Sequence, residues 1–154
     1  MLYYSYNQIV LQEVPDEISL GISISGCPLK CKGCHSPETW NPNFGKQLTE
    51  TEFNQLLSKN PFITCVCFFG GEWNSEYLIK LIKIAKSKFL KICLYTGLEL
   101  DELTKVSKEL IQELDYVKTG RYIEELGGLK SPTTNQKFIR LNNSSNSSNS
   151  SNLQ

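Results

Sequence analysis

From Ile18 to Ser25 the chain alternates apolar and polar residues, Ile-Ser-Leu-Gly-Ile-Ser-Ile-Ser, broken only at Gly21. That is the period of a strand with one buried face. Thr49-Glu-Thr-Glu52 has the form of a capping box, and Phe53, Leu56 and Leu57 follow at helical spacing, which predicts a helix from about Glu50. The run Phe62–Phe69 is short, apolar and rich in β-branched and aromatic residues, so it reads as a buried strand ending at Gly70-Gly71-Glu72. Leu78, Leu81, Ile82 and Ala85 mark one face of a helix over Ser75–Lys88, with lysines 80, 83, 86 and 88 as its solvated side. Lys91–Tyr95 predicts a third strand, Leu103, Val106 and Leu110 a third helix, and Asp115–Lys118 a fourth strand. Lys137–Leu141 is a candidate last strand.

Strands alternating with helices of this length imply successive βα units on a parallel sheet. Four or five such units are too few to close an eight-unit barrel of ~250 residues, so the expected fold is α/β, a partial and open TIM-like barrel. In that arrangement the loops after the strands all lie at the carboxyl ends, where parallel α/β folds build their sites. Those loops are the cysteine-rich stretch, Gly70-Gly71-Glu72, Tyr95-Thr96-Gly97 and Lys118-Thr119-Gly120.

Composition narrows the class. The 154 residues carry 16 Lys plus Arg and 16 Asp plus Glu, with no basic footprint for nucleic acid. No apolar run approaches the roughly 20 residues that span a bilayer, and the start lacks the order of a signal peptide, so the expectation is a reducing cytoplasm and no membrane contact. One domain is expected over residues 1–141. The Asn/Ser repeat over 142–154 reads as a disordered tail, because it buries too little apolar surface to offset its ordering entropy.

The chemistry concentrates in Cys27, Cys31 and Cys34, spaced C-x3-C-x2-C. Three thiolates in one loop suit a [4Fe-4S] cluster that keeps one iron free of protein, whereas structural zinc takes four closed ligands. Zinc remains open if His35 completes a Cys3His set, although adjacent residues rarely reach one tetrahedral ion. A disulfide framework fits poorly, since Cys65, Cys67 and Cys93 sit in apolar runs and read as small buried core residues.

C-x3-C-x2-C after a first strand, with Gly-Gly-Glu after the second, resembles the radical S-adenosylmethionine enzymes. Gly26-Cys-Pro-Leu-Lys-Cys-Lys-Gly-Cys-His-Ser-Pro-Glu-Thr-Trp40, the Tyr95-Thr96-Gly97 loop and the stretch from Ile123 to Gln136 are similar to the branch that activates anaerobic ribonucleoside-triphosphate reductase. The resemblance covers nearly all of residues 8–141. It implies a [4Fe-4S] cluster on Cys27, Cys31 and Cys34, with S-adenosyl-L-methionine chelating the fourth iron. One electron would cleave the cofactor to methionine and a 5′-deoxyadenosyl radical, which would take a hydrogen atom from a glycine of the large reductase subunit. The electron would come from a low-potential donor such as flavodoxin or ferredoxin.

Under that resemblance Gly33, Cys34 and His35 approach the cofactor, Gly70 and Gly71 offer bare backbone, Glu72 accepts from the methionine ammonium, and Thr96 lies in a neighbouring loop. Trp40 and Trp73 each follow a motif and serve either ordinary packing or closure over the cofactor. The chain departs from better-known members before the first strand, with Glu13-Val-Pro-Asp-Glu17 where Asn-Gly-Pro-Gly is common. Three other readings remain: an activase of another glycyl radical enzyme, a non-catalytic zinc protein, and an electron-transfer protein with a fourth ligand from Cys65, Cys67 or Cys93.

Overall fold

A computed structural model describes residues 1–27, 40–121 and 123–141. The predicted tail over 142–154 lies outside the described residues. Seven strands form one open sheet: β1 (Tyr3–Val10), β2 (Ser19–Ile24), β3 (Lys46–Gln47), β4 (Cys65–Phe69), β5 (Lys91–Tyr95), β6 (Tyr116–Thr119) and β7 (Lys137–Arg140). Their order is β3-β1-β2-β4-β5-β6-β7. The four central strands, β2, β4, β5 and β6, pair in parallel.

The sheet is mixed, which corrects the expectation of a purely parallel one, and among the described residues it is not closed, so the partial TIM-like barrel is not confirmed. β1 runs antiparallel to both β2 and β3, and β7 antiparallel to β6. The cause is connection chemistry. Parallel neighbours need a crossover of a dozen residues or more, usually helical, and the short link between β1 and β2 cannot supply one. β1 was not anticipated: its burial mixes buried, half-buried and exposed positions without a clean two-residue period.

Helices α1 (Glu50–Lys59) and α2 (Ser75–Ser87) match the periodicity. Thr49 accepts from the Glu52 amide at 3.0 Å, half of the expected capping box. The Glu52 carboxylate goes instead to the Tyr4 hydroxyl and to Lys46. The predicted third helix is two, α3 (Leu100–Val106) and α4 (Lys108–Glu113), broken at Ser107. Ser107 is extended and its hydroxyl accepts from the Leu110 amide, so it ends one helix and caps the next. The break turns Val106 outward, 48% exposed, while Leu103 and Leu110 stay fully buried. Helices of six and seven residues do not persist alone. Burial of those two leucines, worth about 1.5–3 kcal/mol each, holds them on the sheet.

Strand alternation divides the core. Leu20, Ile22, Ile24, Val66, Phe68, Ile92, Leu94 and Val117 point to the helical face and pack on α1 to α4, with Phe53 stacked on Phe68 at 5.9 Å between centroids. The other face carries Cys65, Cys67, Cys93 and Tyr116, with Phe69, Tyr95 and Phe138 beside them. No helix covers it. The β1–β2 link crosses it instead, with the side chain of Val14 wholly buried against the three cysteines and Tyr116.

That link is fastened at both ends. Glu17 accepts from the Thr64 hydroxyl at 2.6 Å and the Tyr116 hydroxyl at 2.7 Å, and pairs with Lys91 at 3.3 Å. The Tyr95 hydroxyl donates to the Glu13 carbonyl at 2.6 Å. The segment that departs from the family pattern in sequence is thus the cover of one sheet face.

Candidate active site

β2 ends in Ser25-Gly26-Cys27. Gly26 takes φ +103°, a left-handed conformation that side chains disfavour, and a Cβ there would lie 3.1 Å from the Trp73 indole nitrogen. β4 ends in Gly70 and Gly71, at φ +98° and +109°. A Cβ on Gly70 would meet the Trp73 ring at 2.6 Å, so glycine at 26 and 70 lets Trp73 lie between the two loops. Gly71 turns the chain into a 3-10 turn over Glu72–Asn74, and Asn74 then caps α2 through the Tyr77 amide.

Backbone bonds tie the remaining loops side by side. The Gly70 amide donates to the Tyr95 carbonyl at 3.0 Å, the Thr96 amide to Lys118 at 2.9 Å, and the Gly120 amide to Leu98 at 2.8 Å. The Thr96 hydroxyl accepts from the Leu98 amide. The loops at the ends of β4, β5 and β6 are therefore one connected rim.

A cavity of about 240 Å³ opens at this rim, lined by Cys27, Gly70, Glu72, Trp73, Thr96 and Gly97. Tyr6, Ser23, Ile24, Phe69 and Tyr95 complete it. Glu72 is 4% exposed, and its Oε1 has no hydrogen-bond partner. Burial pushes its carboxyl pKa up; its own amide, the Thr96 hydroxyl and the Lys118 ammonium oppose this without cancelling it. A buried acceptor oxygen without a donor beside a cavity fits a cationic ligand.

Four predicted site residues, Cys27, Gly70, Glu72 and Thr96, thus line one cavity. Gly71 sits behind it, where a Cβ would touch Leu78 and Ile24. Cys31, Gly33, Cys34 and His35 lie in 28–39, outside the described residues. Among the described residues no three His, Cys, Asp or Glu side chains converge to hold a metal, as expected when two of three ligands fall in that stretch. Cys65, Cys67 and Cys93 do not line the cavity. Burial raises the pKa of the Cys65 and Cys67 thiols, which suits inert packing rather than ligation.

Sequence reasoning did not single out Tyr6, Ser23, Phe69 or the Tyr95 ring. Ser23, Phe69 and Tyr95 are partners across β2, β4 and β5, so the two-residue alternation counted from Cys65 would have found the last two. Tyr6 stands on the unanticipated β1.

The 4Fe-4S single cluster domain family matches residues 18–140, from the start of β2 through the end of β7. This chain belongs to that family. Among its relatives, the anaerobic ribonucleoside-triphosphate reductase-activating protein of Enterobacteria phage T4 is 27% identical over 111 residues, covering 67% of this chain and 70% of the relative. The protein of the same name from Escherichia coli K12 is 22% identical over 136 residues, covering 82% and 88%. The pyruvate formate-lyase-activating enzyme of Clostridium pasteurianum is 35% identical over 83 residues, 49% of this chain. The chain spans about a third (35%) of that enzyme's length. Membership of a family with a single four-iron cluster, among proteins named as activators, bears out the resemblance read from the motifs. No described helix is long and apolar enough to cross a membrane.

Proposed function

We propose that this chain is a radical S-adenosylmethionine activating enzyme that installs a glycyl radical on the large subunit of an anaerobic ribonucleoside-triphosphate reductase. One observation carries the reading: Cys27, first cysteine of the C-x3-C-x2-C motif, opens onto the same cavity as the buried and unsatisfied carboxylate of Glu72.

The residues fit the two groups. Cys27, Cys31 and Cys34 would hold a [4Fe-4S] cluster. Glu72 would accept from the ammonium of the methionine moiety, Gly70 lets backbone approach it, Gly71 would turn the chain behind it, and Thr96 would complete the pocket together with Gly33, Cys34 and His35 of the cysteine motif. When bound, the pair supplies a one-electron reduction and a carbon-centred radical able to take a hydrogen atom from glycine. The chain's own part is positional and electrostatic. Glu72, with one oxygen left without a donor in the free protein, gains a charged partner on binding, so its desolvation is offset more fully in the complex. Trp73, Phe69 and Tyr95 line the same space. The partner is the large reductase subunit, the electron donor a flavodoxin- or ferredoxin-type protein, and the compartment a reducing cytoplasm.

The C. pasteurianum match favours a second reading of the partner, a formate-lyase-type glycyl radical enzyme. Anaerobic reconstitution with iron and sulfide, then dithionite and S-adenosylmethionine, tests the reaction. Wild type should yield methionine and 5′-deoxyadenosine, and Cys31→Ala neither. A colourless protein that retains zinc would overturn the proposal. Adding each candidate partner and recording the glycyl radical by electron paramagnetic resonance then separates the two partner readings.

A further inference from the structure

Exposed apolar side chains gather at the amino ends of the parallel strands, the end opposite the cavity. Ile18 leads into β2, Phe62 into β4 and Phe89 into β5, and they are 39%, 56% and 95% exposed. Backbone bonds set these lead-ins side by side: the Thr64 amide donates to the Ile18 carbonyl at 2.8 Å, and the Lys91 amide to the Thr64 carbonyl at 3.0 Å. Phe89 is disfavoured twice, since it takes φ +64° where glycine is usual and leaves a whole ring in water. The fold gains nothing internally from such a residue, and apolar groups clustered on a surface mark a contact site.

Charge decides what covers this face. Lys59 ends α1, Lys88 follows α2 and Lys91 opens β5, all exposed. Asp16 pairs with Arg140 at 3.6 Å and Glu17 with Lys91 at 3.3 Å, so Lys59 and Lys88 set the sign of the rim. A second copy would bring lysines against lysines, a costly juxtaposition. An anionic bilayer is held by clusters of about four to eight basic residues, more than these lysines supply. An acidic protein surface matches the lysines, and a pocket in it matches the rings, since aromatic side chains are the ones enriched at interfaces.

Distance narrows the partner. β4 has five residues, so this end lies about 17 Å from the cavity rim. A one-electron donor must approach the cluster itself and gains nothing by docking here. A protein substrate can grip this end with its body while a separate segment enters the rim. We infer that the face around Ile18, Phe62 and Phe89 docks an acidic, pocketed surface of the large reductase subunit, remote from the chemistry and independent of the cofactor. The inference rests on the reading under Proposed function for the identity of that subunit.

The test measures binding of the reconstituted holoprotein to the large subunit of an anaerobic ribonucleoside-triphosphate reductase by sedimentation, and cleavage of S-adenosylmethionine separately, without the subunit. Phe62→Ser/Phe89→Gly should raise the dissociation constant roughly tenfold or more and Lys59→Glu/Lys88→Glu about fivefold or more, and added salt should weaken wild-type binding. Cleavage without the subunit should move less than twofold in each variant. An unchanged dissociation constant in either variant, or cleavage lost in proportion to binding, would overturn the inference. So would a wild-type dimer, or wild-type binding to phosphatidylserine vesicles, that the same substitutions abolish while subunit binding persists. Failure of the wild-type holoprotein to cleave S-adenosylmethionine would instead overturn the proposed function, and the dissociation constants would still judge the face.

Discussion

Two glutamates, one at each end of the same parallel strands, have carboxylates drawn in from solvent and are treated in opposite ways. Glu17, at the amino ends, has its side chain 8% exposed and meets two hydroxyls and an ammonium. Burial alone would raise its pKa, yet the bonds from Thr64 and Tyr116 and the charge of Lys91 hold it below the usual carboxylate range. Glu72, at the carboxyl ends, keeps one oxygen without a donor, and burial holds its pKa above that range. One end of the sheet is built to be complete, and the other waits for a ligand. Stability is concentrated where Glu17 clasps β4, β5 and β6, and stability is given up where Cys27 and Glu72 share a cavity.

The sharpest way to break this contrast is Glu72→Gln. Loss of a charged hydrogen bond worth about 1.5–3 kcal/mol should lower affinity for S-adenosylmethionine roughly tenfold to a hundredfold, read by equilibrium dialysis against the reconstituted protein. The cofactor-free variant should melt higher than wild type at neutral pH. A raised folded pKa makes the ionised form a liability above the ordinary carboxylate range, so this advantage should fade as the pH is lowered and both states protonate.

Glu17→Gln should act in the opposite sense. Its loss is expected to cost about 1–3 kcal/mol at neutral pH, mostly from the two hydroxyl bonds, since the half-exposed Lys91 contributes little. Because the folded pKa is lowered, that stability is present above the unfolded pKa and lost as pH falls through the folded one. Denaturant melts at neutral and acidic pH should therefore show wild type and variant converging in acid. Cofactor affinity should not follow.

The smallest effect is a gain. Phe89 follows α2 with φ +64°, its ring 95% exposed, at the position where its amide and that of Leu90 close the helix on Lys86 and Ala85. Glycine is the usual residue there. Phe89→Gly should add about 1 kcal/mol of stability by removing left-handed strain. Cofactor cleavage should be unchanged, since the residue is at the structural end of the sheet.

The sequence carried one side of this contrast far better than the other. Gly70-Gly71-Glu72 and Cys27 are local motifs, and strand–helix alternation is enough to bring them to one rim. β5 was read to the residue and α2 to within one, because their apolar periods are clean. The break at Ser107 was hidden because Leu103, Val106 and Leu110 keep an unbroken helical spacing. The Glu17 clasp was hidden for a different reason. Its partners at 64, 91 and 116 come from three elements, and only the sheet register makes them neighbours. Nor does a motif reveal that a carboxylate oxygen lacks a donor, which is a property of the assembled rim.

The most direct test of the shared cavity is the electron paramagnetic resonance spectrum of the dithionite-reduced, reconstituted protein with and without S-adenosylmethionine, for wild type and Glu72→Gln at equal iron content. The account predicts that the cofactor changes the cluster signal in wild type and that Glu72→Gln needs at least tenfold more cofactor for the same change. A wild-type cluster whose signal ignores the cofactor would contradict it.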